Sequence, residues 1–250
     1  MQAYFTLVRR ELGSHFYSWT GYVVIGVVLF LIGYSFADLL RALNAEPTDR
    51  PLTELFYVTP YFWLILATVA PVITMRSFAQ EKYSGTFETL MTTPVSDLQV
   101  VLGKFSGAMV FYILMWLPLV ACLYVVQYYS NNSSLVQPST LIGTMTGIFL
   151  LGGLYMSIGC CASSLTRNQI IAAMITLGIG ITLFLVSFFA GSFSKATGVT
   201  AQVMAQLALM EHMKDFSRGI VDTRPVIFYL SFTVLFLFLN LKVVESRRWR

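Results

Sequence analysis

The side chains best suited to catalysis or metal binding are few in this sequence and are not grouped as a reaction centre requires. There are two histidines and three cysteines in 250 residues. Met156, Cys160 and Cys161 lie on one side of a predicted helix, and soft sulfur ligands suit Cu(I). Packing by three adaptable apolar side chains explains the same group, and no second ligand cluster accompanies it. We therefore expect no catalytic residue, no metal site and no cofactor in this chain.

A phosphate-binding loop is also missing from the sequence. The motif GxxxxGK[ST] uses glycine amides to cradle phosphates, followed by a lysine and a hydroxyl residue. Gly103 and Lys104 are followed by Phe105, and Leu98 occupies the position of the first glycine. We expect this chain not to be an enzyme and not to bind ATP through that motif.

The composition assigns the chain to a membrane. Hydrophobic residues make up 56% of it, charged residues make up 11%, and the mean hydropathy is +0.72. In soluble domains about a quarter of the residues are charged, so a cytosolic enzyme is excluded. The high hydrophobicity also excludes a disordered chain. A net charge of +4, spread over the sequence, gives no reason to expect nucleic acid as a partner. The expected surroundings are a lipid bilayer.

Six apolar runs are long enough to cross a bilayer as helices. A hydrocarbon core about 30 Å thick needs roughly 20 helical residues. The sequence therefore predicts an all-α, polytopic membrane protein with one transmembrane domain, residues 1–250. The runs cover residues 20–37, 56–75, 105–128, 140–163, 170–190 and 226–243. No ionisable residue lies within these bounds, which argues against coupling to a proton or ion gradient.

The basic residues predict how the six spans are oriented. An even number of spans places both termini on one side of the membrane. Ten Lys/Arg residues lie on the side of the termini and six lie on the other side. Cytoplasmic loops are enriched in Lys and Arg, so we expect both termini in the cytoplasm. Residues 191–224 are then an extracytoplasmic segment, which offers a binding platform for an accessory protein.

The cytoplasmic loop of residues 76–104 has the most informative pattern. Phe87, Leu90 and Met91 recur at i, i+3 and i+4, which predicts a short amphipathic helix over residues 84–94 that Pro94 ends. A helix lying on lipid is rich in Lys/Arg on its polar face, but residues 83–102 contain no basic residue. Glu88 makes that face acidic and disfavours anionic lipid. Docking to a cytoplasmic protein is therefore favoured over the membrane surface.

Two glycine pairs have the spacing that lets helices approach closely. Gly103 with Gly107 and Gly143 with Gly147 form GxxxG patterns. Such a pattern fits a dimer face or a moving seam between helices. It equally fits ordinary packing within one subunit.

Two stretches resemble the permeases of ABC type-2 transporters. The run EKYSGTFETLMTTPVSDLQVVLGKF is similar to the family's coupling-helix pattern, E-[KR]-x-x-G-T-x-E-x-L-x-x-x-P-[VI], and to the G-K that follows it. The matching residues are Glu81, Lys82, Gly85, Thr86, Glu88, Leu90, Pro94, Val95, Gly103 and Lys104. The C-terminal region is similar to gliding-motility-associated and nitrous-oxide-reductase-maturation permeases. Its matching residues are His212, Phe216, Gly219, Val221, Asp222, Glu245, Arg247, Arg248 and Trp249.

The resemblance implies the permease subunit of an ABC exporter in a bacterial inner membrane. It implies two copies of a separate ATPase subunit, which bind ATP and Mg, and a second permease copy, either identical or a close paralogue. The residues expected to contact the ATPase are Glu81, Gly85, Thr86, Phe87, Glu88, Leu90, Met91, Pro94 and Arg167. Among them, Glu81 and Glu88 are expected to pair with basic groups, and Phe87, Leu90 and Met91 to dock as apolar contacts. Helix capping by the turn at residues 166–169 is the alternative role for the region of Arg167.

The resemblance also implies an elbow helix along the cytoplasmic surface, residues 1–17. Apolar residues at helical spacing agree with it, and the alternative is a helix that extends the first span. The apolar positions are Phe5, Val8, Leu12 and Phe16, with Arg9, Arg10 and Glu11 on the other face. For the whole chain, the competing function is a channel-like or scaffold protein, not driven by ATP, whose loop docks another cytoplasmic partner.

Overall fold

Eleven α-helices and no strand make up the part of the chain that the structure, a computed structural model, describes. That part consists of residues 2–45, 51–91, 95–130, 137–192 and 206–248. The helices are α1 (Gln2–Phe16), α2 (Trp19–Ala45), α3 (Leu52–Val58), α4 (Pro60–Thr74), α5 (Ala79–Ser84), α6 (Thr86–Met91), α7 (Asp97–Ser130), α8 (Pro138–Leu165), α9 (Gln169–Ser192), α10 (Leu209–Ser217) and α11 (Thr223–Arg248).

Six segments in the described residues are long and apolar enough to cross a membrane, which confirms the predicted all-helical polytopic fold. They are Trp19–Arg41, Pro60–Ser84, Asp97–Tyr129, Pro138–Leu165, Gln169–Ala190 and Thr223–Ser246. The most apolar part of the α8 segment is 89% buried, whereas that of the α11 segment is 11% buried. Helix α8 is therefore at the centre of the bundle, and α11 turns most of its apolar surface outward, where lipid solvates it.

The second span is divided differently from the prediction. Phe56 and Tyr57 belong to the short helix α3, and the membrane segment begins only at Pro60. The break falls at Thr59, whose φ of −70° and ψ of 140° are extended. Proline clashes with a helical residue before it, so Pro60 ends one helix and begins the next.

The third span is longer than its apolar run. Helix α7 begins at Asp97, eight residues before the predicted start at residue 105. The amide of Gln99 donates to Ser96 Oγ, and the amide of Ser96 donates to Gln99 Oε1, both over 3.3 Å. This is a reciprocal capping box. Because the helix starts early, Lys104 lies inside it, with a side chain only 1% exposed. The membrane helices therefore contain a buried charge that the predicted bounds left out.

Helix α1 is a separate helix that packs along the first part of α7. A turn at Tyr17 and Ser18 separates it from α2, so it is not a continuation of the first span. A Cβ added to Gly103 would lie 3.1 Å from the Leu7 side chain, and one added to Gly107 would lie 2.7 Å from that of Glu11. The contact face of α1 thus contains Glu11, contrary to the prediction. Phe5, predicted as apolar contact, is 66% exposed.

At the other end of the bundle, α3 and α10 are joined to each other and to α8. Arg218 Nε and Nη2 each donate to the buried carboxylate of Glu54 over 2.8 Å, a bidentate pair. Thr53 Oγ1 donates to the carbonyl oxygen of Ser217 over 2.7 Å. Helix α10 begins at Leu209, within the segment 191–224. These contacts fasten α10 to α3.

Candidate functional site

The loop predicted to dock a cytoplasmic partner contains two short helices. Helix α6 lies within the predicted helix of residues 84–94, and α5 precedes it. Gly85 joins them with a φ of 75°, a left-handed conformation that glycine adopts without strain. The hydroxyls of Ser84 and Thr86 are 2.8 Å apart across this joint. The loop therefore turns sharply at Gly85, and the two helices present different residues outward.

One side of the α5–α6 pair is attached to the bundle. The Phe87 ring is 6% exposed and belongs to an apolar cluster with Phe78 and Val101. Lys82 Nζ lies 5.2 Å from the centre of that ring and donates to the carbonyl oxygen of Ser164 at the end of α8. The structure thus gives Phe87 a packing role in its own chain, and its predicted apolar contact with an ATPase stays a prediction. Because burial removes its ring from water, Phe87 holds α6 to its own chain.

The other side of the pair is open and polar. Tyr83 is 81% exposed, and Ser84, Thr86 and Glu88 are exposed with it. These residues form a continuous outward surface, here called the α5–α6 outer surface, with one aromatic ring and one carboxylate. Nothing is described for the side chains of Leu90 and Met91, and Pro94 lies outside the described residues. The docking roles predicted for those three residues stay predictions.

Behind this surface, a buried ion cluster joins α1, α5 and α7. Lys104 Nζ lies 2.5 Å from Glu11 Oε1 and 2.9 Å from Glu81 Oε1. Arg10 Nη2 donates to the same Glu81 oxygen over 2.6 Å. Charges taken out of water must be paired, and this arrangement pairs them. The Glu81 carboxylate, predicted to meet basic groups on an ATPase, is therefore engaged by two cations of its own chain.

The turn between α8 and α9 adjoins the same region. The Ile170 backbone amide donates to Asn168 Oδ1 at 2.9 Å, and the Asn168 backbone amide donates to Thr166 Oγ1 at 3.0 Å. These bonds cap the start of α9, as the capping alternative requires. Arg167 is exposed at this turn, close to Ser164, the acceptor for Lys82. A contact between Arg167 and a partner stays a prediction.

The four predicted glycines lie at contacts within this chain. Gly103 and Gly107 face α1, as described above. A Cβ on Gly143 would lie 2.3 Å from the Phe216 carbonyl oxygen, and one on Gly147 would lie 3.0 Å from the Met213 side chain. Ordinary packing within one subunit therefore describes all four positions. A role of these glycines in a dimer stays a prediction.

The predicted C-terminal family segment holds α10 in place. His212 is buried with its ring 5.8 Å from that of Tyr229, and Phe216 is 1% exposed. Gly219 has a φ of 81°, and a Cβ there would also lie 3.1 Å from the Ser139 carbonyl carbon. The Asp222 carboxylate accepts the Arg224 amide over 3.1 Å, at the start of α11. Packing, a tight turn and a helix cap account for these four residues.

Sequence reasoning missed Glu11, Arg10 and Arg76 as members of a common site. Arg76 follows the end of α4 and donates to the hydroxyls of Ser18 and Thr20, at the start of the first span. Glu11 and Lys104 are 93 residues apart, so no local spacing connects them. The sequence offered one signal for this site: Glu11 is the single acidic residue of α1 and follows two arginines directly.

The fold and this loop define a class: a polytopic helical membrane protein. Its loop between the second and third spans packs on the bundle with one side and leaves the other side exposed. The family model described as ABC-2 family transporter protein matches residues 14–249, and the chain belongs to that family. It is thus a permease subunit of an ABC transporter, and members of this family work with an ABC ATPase subunit. A comparison with curated proteins finds no match to this chain.

Proposed function

We propose that this chain is the permease of an ABC exporter in a bacterial inner membrane, driven by a separate ATPase that docks on the α5–α6 outer surface. Membership of the ABC-2 family supports an ATPase partner. The observation that carries the docking site is the two-sided build of the loop. Tyr83 and Glu88 are exposed, whereas Phe87 between them in sequence is buried in the bundle.

The buried side of the loop supports a route from the ATPase to the membrane helices. Glu81 connects α5 to α1 through Arg10 and to α7 through Lys104. Lys82 connects α5 to the end of α8. When ATP closes the ATPase dimer, a displaced α5 therefore moves with three helices of the bundle. Nucleotide binding then biases a two-state helix arrangement through contacts that differ between its states.

The proposed complex contains two permeases and two ATPases, with ATP and Mg held by the ATPases. The second permease is an identical copy or a close paralogue. The termini and the α5–α6 pair lie in the cytoplasm, and α3 and α10 lie outside, where an accessory protein has access to residues 191–224. Outward transport and these copy numbers follow the resemblance to ABC type-2 permeases.

Co-purification tests the proposal directly. The chain is tagged, extracted from its native membrane in mild detergent, and tested for an ATP-binding protein that elutes with it and hydrolyses ATP. We expect such a protein. A chain that elutes alone as a stable oligomer, under conditions that preserve a known ABC complex, contradicts the proposal and favours the channel-like or scaffold function.

A further inference from the structure

A cleft of about 470 Å³ opens between the turn after α1, the start of α2, the end of α4 and α5. Three cations line it, Arg10, Arg76 and Lys104, against two carboxylates, Glu11 and Glu81. Lys104 contacts both carboxylates and Arg10 contacts Glu81, as described above. One positive charge is left over in the lining, and its position is that of Arg76.

Arg76 has only neutral partners among the described residues. Its Nη1 donates to Ser18 Oγ over 3.0 Å and to Thr20 Oγ1 over 2.8 Å. Its Nε is buried and has no acceptor there. Burial lowers the pKa of the neighbouring His15, so that imidazole adds no charge near neutral pH. A guanidinium group that has no anionic partner suits a phosphate group, because its planar pair of N–H donors matches two phosphate oxygens.

An apolar pocket between α2 and α7 adjoins the cleft. Phe111 lines both cavities, and the second, of about 130 Å³, is otherwise lined by Phe16, Ile25, Val28, Leu29, Leu114, Met115 and Pro118. Tyr17 and Trp19, beside the opening, are 92% and 89% exposed. Exposed aromatic rings of this kind are typical of the boundary between membrane and water. A cationic compartment thus adjoins an apolar one at the depth where a lipid headgroup meets its acyl chain.

We propose that this two-part cleft binds one anionic phospholipid, with its phosphate at Arg76 and an acyl chain in the pocket beside Phe111. The unpaired guanidinium selects an anionic headgroup over a zwitterionic one, because the latter brings its own cation. The apolar pocket selects a lipid over free phosphate, because only a lipid fills both compartments. The binding does not depend on the ATPase or on transport.

Native mass spectrometry of the full-length chain in detergent tests this site. Phosphatidylglycerol and phosphatidylcholine of equal chain length are titrated separately, and inorganic phosphate is added as a competitor. We expect tighter binding of phosphatidylglycerol and no competition by millimolar phosphate. Arg76→Gln should weaken phosphatidylglycerol binding by about fivefold, the effect typical of one basic residue at an anionic lipid surface. Arg9→Gln removes an exposed arginine from α1, outside the cleft, and should bind as the wild type does.

A second pair of variants blocks space and leaves all charges in place. Val24 lines the cleft, and its neighbour Val23 is 63% exposed and does not. Val24→Phe should weaken phosphatidylglycerol binding, whereas Val23→Phe should leave it unchanged. This pair keeps the test valid if Arg76→Gln does not fold.

Three outcomes overturn the proposal. Equal binding of the two lipids by the wild type removes the charge argument. Unchanged phosphatidylglycerol binding in folded Arg76→Gln or Val24→Phe places the lipid elsewhere. Displacement of the lipid by phosphate shows that the polar compartment alone is the site and that its ligand is a free anion.

Discussion

At the scale of residues, the buried ion cluster is the feature with the largest energetic consequence. Lys104 Nζ lies within 3 Å of two carboxylate oxygens, and the Phe78 ring lies 5.3 Å from it on another side. If the ammonium group is removed, Glu11 and Glu81 share only the half-exposed Arg10, whose Nη2 lies 3.6 Å from Glu11 Oε1 and 2.6 Å from Glu81 Oε1. Removing one ion from such a cluster costs more free energy than the intact cluster contributes relative to an apolar core. The reason is that the remaining charges stay buried without a full partner.

Lys104→Gln should therefore lower the free energy of unfolding by about 3–5 kcal/mol. Thermal unfolding of the purified chain in detergent measures the effect. Lys242→Gln is the matched control, because Lys242 pairs with Glu245 over 2.7 Å at an exposed site. Exposed pairs contribute about 0.2–1 kcal/mol, so that variant should unfold near the wild-type temperature.

A double variant separates charge from packing. Adding Glu11→Gln to Lys104→Gln leaves one carboxylate, Glu81, with Arg10 as its partner, and should restore part of the lost stability. Equal losses in the single and double variants would show that Lys104 acts through packing of its aliphatic stem and not through charge.

The sequence predicted one part of this cluster and not the rest. Glu81 and Lys104 were identified from the pattern of one loop, since both lie in a single stretch of 24 residues. Glu11 and Arg10 come from α1, and their contribution depends on how α1 packs against α5 and α7. Contacts between residues far apart in sequence leave no periodicity to detect.

At the scale of elements, close contact between α8 and α10 depends on a missing side chain. A Cβ on Gly143 would overlap the Phe216 carbonyl oxygen, which is backbone and cannot rotate away. Gly143→Ala should therefore push the two helices apart and destabilise the chain by about 1–3 kcal/mol, the usual cost of overpacking. We expect Gly143→Ala to unfold in detergent at a lower temperature than the wild type.

Gly178→Ala is the control for that substitution. Gly178 is also in a membrane helix, and a Cβ there would meet nothing within 4 Å. Alanine is favoured over glycine in a helix by about 1 kcal/mol, so the control should be neutral or stabilising. If Gly143→Ala were as stable as this control, α10 would not be held against α8 by that contact.

The α5–α6 pair gives a prediction about binding. Glu88→Arg should reduce the ATPase recovered with the tagged chain by more than roughly tenfold, because reversing a charge at an interface costs several kcal/mol. Glu211→Arg reverses an exposed charge on α10, at the other end of the bundle, and should recover the ATPase normally. Loss of the ATPase with both variants would point to general instability, and loss with neither would exclude Glu88 from the docking surface.

Element boundaries show where sequence reasoning stops. Apolar length predicted all six spans, because a bilayer imposes it. Apolar length alone did not give the start of α7 at Asp97. The capping-box pattern of residues 96–99 does indicate it, and the reciprocal bonds of Ser96 and Gln99 are present in the structure. The apolar spacing after Gly85 predicted a short helix from residue 84, and α6 begins at Thr86; the separate helix α5 before the left-handed Gly85 was not predicted. Local conformation at a single glycine is decided by contacts on both sides of it.

At the scale of the whole molecule, the charge distribution predicts the orientation of the bundle. Helix α1, the C-terminal end of α11 and the α5–α6 pair belong to the side with ten Lys/Arg residues. Helices α3 and α10 belong to the side with six. The ion cluster and the cleft lie at the first end, and the Glu54–Arg218 pair lies at the second. The two ends thus have separate chemistry, so orientation decides which of them meets the ATPase.

Cysteine labelling in intact cells measures that orientation. In a background that lacks Cys122, Cys160 and Cys161, single cysteines replace Ser246, near the C-terminal end, or Glu211 on α10, both exposed. A membrane-impermeant maleimide should label Glu211→Cys in intact cells and Ser246→Cys only after permeabilisation, because the positive-inside bias places the basic end in the cytoplasm. The reverse labelling pattern would show that the protein has the opposite orientation. The α5–α6 outer surface would then lie outside the cytoplasm, where ATP is absent, and the proposed ATPase docking would be excluded. Labelling of both sites in intact cells would mean that the two ends of α11 are not separated by the membrane, against the six-span arrangement.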